Sequence, residues 1–423
     1  MYCGSCLRDN ALAGALLKLG HKVTLIPLYT TLRTDTAAAP TSDVFYGGIN
    51  VYLQHASKLF RVTPRIFDWL FDRPWLLKMA GSMGAGASPA KLAPLTRDIL
   101  LGYNGPTQKE LRRLITFLAD EIKPDIITLP NLMFIGMAQS FRDKLGCPVI
   151  CELTGEDIFL DAMLPVDREN IRNIIQAATP HVSRFVATSN YYADKLANYL
   201  GLPRERVLAI YPGLPDEILH TPGYTQRDPA KPQLTISYLA RICPEKGIDQ
   251  LIEAFFHLRD LPGGTNFRLD YAGYLGPQYK AWHRILSERI ASAGLSDSIR
   301  YRGEVDLAGK LDVLDRSDLF CVPTQYPEAK GIFVLEAMAR GLPVVAPEHG
   351  SFPEFAALTG AVQLTPPNDP VALAKTLHQL LNDRPRFSAL AAAARPAVLQ
   401  RFVAERMAVE IAALCEDALA KPA

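Results

Sequence analysis

Two carboxylates, Glu328 and Glu336, stand eight residues apart in Tyr326-Pro-Glu-Ala-Lys-Gly-Ile-Phe-Val-Leu-Glu-Ala-Met-Ala-Arg-Gly341. The apolar run 319–324 before them reads as a buried strand, and a helix is expected from Gly331. Gly341, Leu342 and Pro343 supply a stop signal, after which 344–347 reads as the next strand. Strand, loop, helix and strand make a parallel crossover, and ligands of such sheets bind at the carboxyl ends of the strands. Gly331 would admit a ligand close to the backbone, and the free N–H groups at the helix start suit a phosphate. By themselves, Glu328 and Glu336 read equally well as a first-turn acid and a solvated helical acid.

A second strand end, Tyr238-Leu-Ala-Arg-Ile-Cys-Pro-Glu-Lys-Gly247, carries Arg241 and Lys246 just before another helix. Cations at a helix N-terminus oppose the dipole preference, whereas anion binding accounts for them: Arg offers a planar fork to phosphate oxygens and Lys a point charge. Arg241 and Lys246, then Glu328 and Glu336 with Gly331 between them, resemble the donor half of the family 4 glycosyltransferases. The runs 21–28 and 45–52 read as strands, and the segments His21-Lys-Val and Val207-Leu-Ala-Ile-Tyr-Pro-Gly-Leu214 also resemble that family's patterns.

The resemblance covers nearly the whole chain and implies an α/β GT-B architecture: two doubly wound Rossmann-like domains facing across a cleft, with a C-terminal helix crossing back to the first. It implies a retaining, metal-independent transfer of a sugar from a nucleoside-diphosphate-sugar to an acceptor, with no cofactor besides that donor. By the same resemblance Glu328, Arg241 and Lys246 would take the catalytic roles, the two cations holding the diphosphate and Glu328 meeting the sugar hydroxyls. Glu336 is expected at the ribose, with Gly331, Ile332, Phe333 and Gly4 also on the donor and Gly303 to Val305 along the base. No Asp-x-Asp occurs, the usual divalent-metal handle of the other glycosyltransferase architecture.

One departure concerns the acceptor side. Family members place histidines after two strands of the first domain, but none of the eight histidines here falls between residues 56 and 180. Asn131, Thr154, Glu156 and Asp157 are the candidates there instead. A nucleotide-sugar epimerase of the same fold, or a non-catalytic nucleotide-sugar-binding protein, are the alternative functions. The acceptor is read as a saccharide or a lipid-linked sugar.

The elements that must position these residues follow from the chain's length and alternation. At 423 residues the chain is too long for one ordinary core. Alternating strands and helices make each half a doubly wound domain. The expected boundaries are 1–214 for the acceptor-side domain, 215–233 for a proline-containing linker, 234–400 for the donor domain and 401–423 for the returning helix. A net charge of +1 argues against nucleic acid as partner. No apolar run is long enough to span a bilayer and no signal-peptide pattern is found, so the expected location is cytoplasmic.

Residues 58–97 combine an excess of Lys and Arg over Asp with Phe60, Phe67, Trp69, Phe71 and Trp75. Two readings stand: peripheral contact with the inner face of a membrane or a lipid-linked acceptor, or a helical hairpin whose aromatics are core. Among the seven cysteines, Cys3 and Cys6 form a C-x-x-C, which means a redox pair or half a zinc site, but two further ligands are wanting and the remainder read as small hydrophobes. Finally, Met1 to Cys6 already reads as the turn before the first helix. We therefore expect a late start, with the first strand of the first domain missing.

Overall fold

The computed structural model describes residues 4–28, 88–223, 228 and 230–420. The expected strand at 45–52 and residues 58–87 of the basic aromatic segment lie outside these. The chain divides into two compact units, one running Pro212–Arg406, the other made of Tyr2–Tyr211 with Met407–Ala423.

The Pro212–Arg406 unit is built on a six-stranded parallel sheet: β5 (Leu234–Leu239), β6 (Phe267–Ala272), β7 (Ile299–Tyr301), β8 (Leu319–Cys321), β9 (Val344–Pro347) and β10 (Val362–Thr365), in the order β10-β9-β8-β5-β6-β7. Strands β8 and β9 are buried along their whole length, as a parallel sheet covered on both faces requires, and their continuous apolar composition follows from that. From β5 the chain runs to one side through β6 and β7, then returns to β8 on the other. The carboxyl ends of β5 and β8 therefore flank the point where strand order reverses.

Helices begin where capping chemistry predicts. Asp306 accepts from the Gly309 N–H at 2.9 Å, and Asp369, followed by Pro370, accepts from the Ala372 N–H at 2.9 Å. The stretch 215–233 is not uniformly irregular, because Asp216–Leu219 forms a short helix.

The other unit carries four parallel strands, β1 (Ile127–Leu129), β2 (Val149–Leu153), β3 (Arg184–Ala187) and β4 (Val207–Ala209), in sequence order. β1 has no strand on its outer edge among the described residues. The strand expected over 21–28 is not formed. Among the described residues only Leu25 and Leu28 take bridge positions there, and the segment's side chains are exposed or half-buried. Helix Ala404–Ala420 passes into this unit at Met407, where Asp417 pairs with Arg184 of β3 at 2.8 Å. Among the described residues, no helix is long and apolar enough to cross a membrane. Within the basic segment, 89–97 belong to helix Pro89–Leu100, which buries Ala93, Ile99 and Leu100.

Candidate active site

The reversal between β5 and β8 is where the charged residues converge. Beyond β5 the chain passes Arg241 and enters a single 3-10 turn, Pro244–Lys246, before helix Ile248–Arg259. Gly247 starts that helix at φ 74°, and a Cβ there would lie 1.8 Å from the Pro323 carbonyl oxygen. Only glycine lets the β5 loop seat against the end of β8.

Beyond β8 the loop carries Tyr326 and Glu328 to Gly331, which precedes helix Ile332–Ala339 at φ 58°. Its missing side chain would meet the Phe355 ring at 2.7 Å, so the aromatic packing beneath the loop also demands glycine.

Lys246 and Glu328 meet in this space. Lys246 Nζ donates to Glu328 Oε2 at 2.5 Å, with both side chains about nine-tenths buried. The ammonium stands 4.9 Å from the Tyr326 ring centroid and 5.0 Å from that of Phe333, so two aromatic faces and one carboxylate surround it. Tyr326 Oη donates to the same Glu328 oxygen at 3.3 Å, and Glu328 Oε1 accepts from the Lys330 N–H at 3.3 Å. Burial by itself would raise the Glu328 carboxyl, but Lys246 beside it brings it down to about 2. Burial and Glu328 push the Tyr326 hydroxyl up to about 12 against the pull of Lys246 and Arg241, which places Arg241 in the same electrostatic neighbourhood. Arg241 is exposed and enters no side-chain hydrogen bond or ion pair among the described residues.

Glu336 lies one turn beyond Phe333 on the same helix, so the two share a face. It is 6% exposed and accepts from Lys310 Nζ at 2.8 Å; Lys310 comes from helix Leu307–Arg316. Both carboxylates thus carry a lysine. Gly303 and Val305 precede that helix and are half-buried; the Gly303 carbonyl receives the Gly273 N–H at 2.9 Å. Ile332 and Phe333 are half-buried in the first turn beyond Gly331.

In the other unit, the four acceptor-side candidates cluster at the ends of β1 and β2. Glu156 accepts from the N–H groups of Leu132, Thr154 and Gly155, from Thr154 Oγ1 and from Tyr192 Oη, at 2.8 to 3.4 Å. Both its oxygens are engaged, so it ties the two strand-end loops together. Asp157 accepts from Tyr192 Oη at 2.7 Å and pairs with Lys195 at 2.5 Å. Burial, with Glu156 and Asp157 alongside, holds the Tyr192 hydroxyl well above its ordinary value and keeps it a donor. Asn131 caps the 3-10 helix Leu132–Met137 by accepting from the Met133 N–H at 3.0 Å. Gly4 opens helix Gly4–Lys18, from which Arg8 reaches Glu152 of β2.

Tyr326, Lys310, Tyr192 and Lys195 are partners of the candidate residues that reasoning from sequence does not supply. Tyr326 alone had a local signal, standing two residues before Glu328 in one loop. The other three arrive from neighbouring helices, where nothing in the spacing marks them.

Residues 225–396 match the family described as Glycosyl transferases group 1, and residues 85–217 match Glycosyltransferase Family 4. This chain belongs to the family 4 glycosyltransferases. Among its curated relatives, the lipopolysaccharide core biosynthesis mannosyltransferase LpsB of Rhizobium meliloti is 32% identical over 45% of this chain and 53% of its own length. A mannosylfructose-phosphate synthase of Agrobacterium fabrum is 29% identical over 39% of this chain and 37% of its own length. The chain thus spans about half the length of the curated relatives it matches, or less. Among solved structures, sucrose-phosphate synthase from Thermosynechococcus elongatus superposes with a TM-score of 0.69 at 17% identity, covering 97% of this chain and 92% of that one. Anabaena HepE, solved with UDP and glucose, gives 0.61 at 19% identity, covering 74% and 83%. These likenesses identify the GT-B fold of this family 4 chain, which its two parallel-sheet units express.

Proposed function

We propose that this chain is a retaining glycosyltransferase that takes a sugar from a nucleoside-diphosphate-sugar without a metal ion. The observation that carries the reading is the meeting of Lys246 and Glu328 at the reversal of strand order, with Arg241 in the loop that follows β5. A cation pair next to a carboxylate suits a ligand with a diphosphate at one end and hydroxyls at the other. Arg241 and Lys246 would take up the charge that grows on the diphosphate as its bond to the sugar carbon breaks. Glu328 would accept hydrogen bonds from the sugar, and Glu336 from the ribose. The acceptor hydroxyl then bonds to that carbon on the face the diphosphate leaves, passing its proton to a leaving phosphate oxygen.

The solved neighbour that holds UDP and glucose supports a donor of this class. The acceptor is read as a saccharide or a lipid-linked sugar, and the place of action as the cytoplasm or its membrane face. A thermal-shift screen of UDP-, GDP- and ADP-hexoses tests the donor site. A bound donor at about a hundred times its dissociation constant adds roughly 2.7 kcal/mol of stability. Release of nucleoside diphosphate from the stabilising donor then separates a transferase from a binding protein and from an epimerase, neither of which releases it. No stabilisation by any of the three overturns the reading.

A further inference from the structure

The donor reading gives Lys246 and Glu328 opposite ends of one substrate, yet in the structure they are bonded to each other. An arriving diphosphate competes with Glu328 for the Lys246 ammonium. If the ammonium turns to the phosphates, a carboxylate about nine-tenths buried loses its cation and must find another donor or lose its place. Two groups face it already. The Lys330 N–H holds Oε1, and the Tyr326 hydroxyl points at Oε2, the very oxygen that Lys246 occupies.

We propose that Tyr326 is a positioning residue: its hydroxyl holds the Glu328 carboxylate towards the sugar while Lys246 is handed over to the diphosphate, and its ring keeps the ammonium within reach of both. The inference rests on the donor reading and goes beyond it in naming how the ion pair opens. One side chain serves both tasks: its hydroxyl faces Glu328 and the Lys246 side chain, and its ring stands beside the ammonium. The hydroxyl is 3.3 Å from Glu328 Oε2, and the ring centroid is 4.9 Å from Lys246 Nζ with Phe333 at a similar distance. A phenol suits the first task because it stays protonated through the working range, held there by burial and by Glu328. It is a donor of the right reach that carries no charge to compete for the phosphates.

The test compares Tyr326→Phe, which removes only the hydroxyl, with Tyr326→Leu, which removes the ring as well. Two quantities are read on the full chain: the dissociation constant for the free nucleoside diphosphate, and the rate at which the matching nucleotide-hexose releases it. Tyr326→Phe should bind the nucleoside diphosphate within about twofold of wild type and release it from the donor about ten- to a hundredfold more slowly, the cost of a hydrogen bond to a charged group. Tyr326→Leu should weaken nucleoside diphosphate binding as well. An unchanged rate in Tyr326→Phe overturns the proposal, and so does an equal loss of both quantities, which is what a merely structural role would give. If wild type itself takes up no UDP-, GDP- or ADP-hexose, the donor reading falls and this inference with it. Binding by wild type with an indifferent Tyr326→Phe overturns the role of Tyr326 alone.

Discussion

Lys246 Nζ and Glu328 Oε2 lie 2.5 Å apart although 82 residues separate them in the chain. Neither group tolerates its burial alone. An isolated charge so far from water costs several kcal/mol, and the contact offsets that cost for both partners. The ion pair is therefore a structural bond between the loop ends of β5 and β8, and on the proposed reading its ammonium is the group a diphosphate would take.

The pH dependence of stability should expose this pair. Glu328 titrates at about 2 in the folded protein against an ordinary 4.5. A depressed carboxylate contributes stability above its unfolded value and loses it as pH falls through its folded one, so the window is about pH 4.5 down to about pH 2. The shift corresponds to roughly 3 kcal/mol. The stability difference between wild type and Glu328→Gln, measured by urea unfolding, should shrink across that window. A difference that stays constant would show that the pair contributes nothing pH-dependent.

Removing either a cation or a carboxylate of the proposed donor site should abolish donor use before it abolishes the fold. Lys246→Ala and Glu336→Ala are each expected to lose nucleotide-sugar binding in the thermal-shift assay. Any residual turnover of Lys246→Ala should fall about a hundred- to a thousandfold. Circular dichroism should remain native in both. Undiminished binding in both variants would remove the donor site from this strand reversal.

Gly331→Ala tests the loop itself. The left-handed backbone costs a side-chain-bearing residue roughly 1–2 kcal/mol, and here the methyl would also meet Phe355 at 2.7 Å. Stability should fall by at least that amount. Donor affinity should fall with it, because Glu328 and the start of helix Ile332–Ala339 shift together. A loss no larger than the backbone cost would mean that the Phe355 ring moves aside freely, and native stability would overturn the left-handed assignment at Gly331.

Arg340 is expected to be a stability determinant of the Pro212–Arg406 unit. It is fully buried at the end of helix Ile332–Ala339, bonded through two nitrogens to Asp315 at 2.7 Å each and to the Thr221 carbonyl at 2.7 Å. Arg340→Met should cost about 3–5 kcal/mol by leaving Asp315 and that carbonyl without their partner. Arg340→Met combined with Asp315→Leu should recover part of the loss. Additive losses in the double variant would show that the two residues act independently.

Each half of the candidate site was legible in the chain alone, for a local reason. A strand that ends in polar residues and Gly before an amphipathic run announces a loop at the carboxyl edge of a parallel sheet. Arg241 with Lys246, and Glu328 with Gly331 and Glu336, are each contained in one such loop and its helix. The alternation of apolar runs likewise announced the parallel sheets. The segment at 21–28 shows the limit of that signal: an apolar run is present, but a continuous strand also needs a regular ladder of hydrogen bonds, and there only Leu25 and Leu28 take bridge positions.

What joined the halves was decided by tertiary structure. Lys246 reaches Glu328 because β5 pairs directly with β8, while β6 and β7 are laid down on the other side of β5. No local pattern encodes that order, since it arises from how the helices pack on the sheet's two faces. The same packing supplied Lys310 to Glu336 from a separate helix, and Tyr192 with Lys195 to Glu156 and Asp157. It also changed what the residues are. Glu156, which in the sequence is an acid at the end of a strand, is in the fold a carboxylate with both oxygens bonded. A residue's type and its loop are local properties, whereas its partners are set by which surfaces fold together, and it is the partners that leave a side chain bound in the framework or turned towards a substrate.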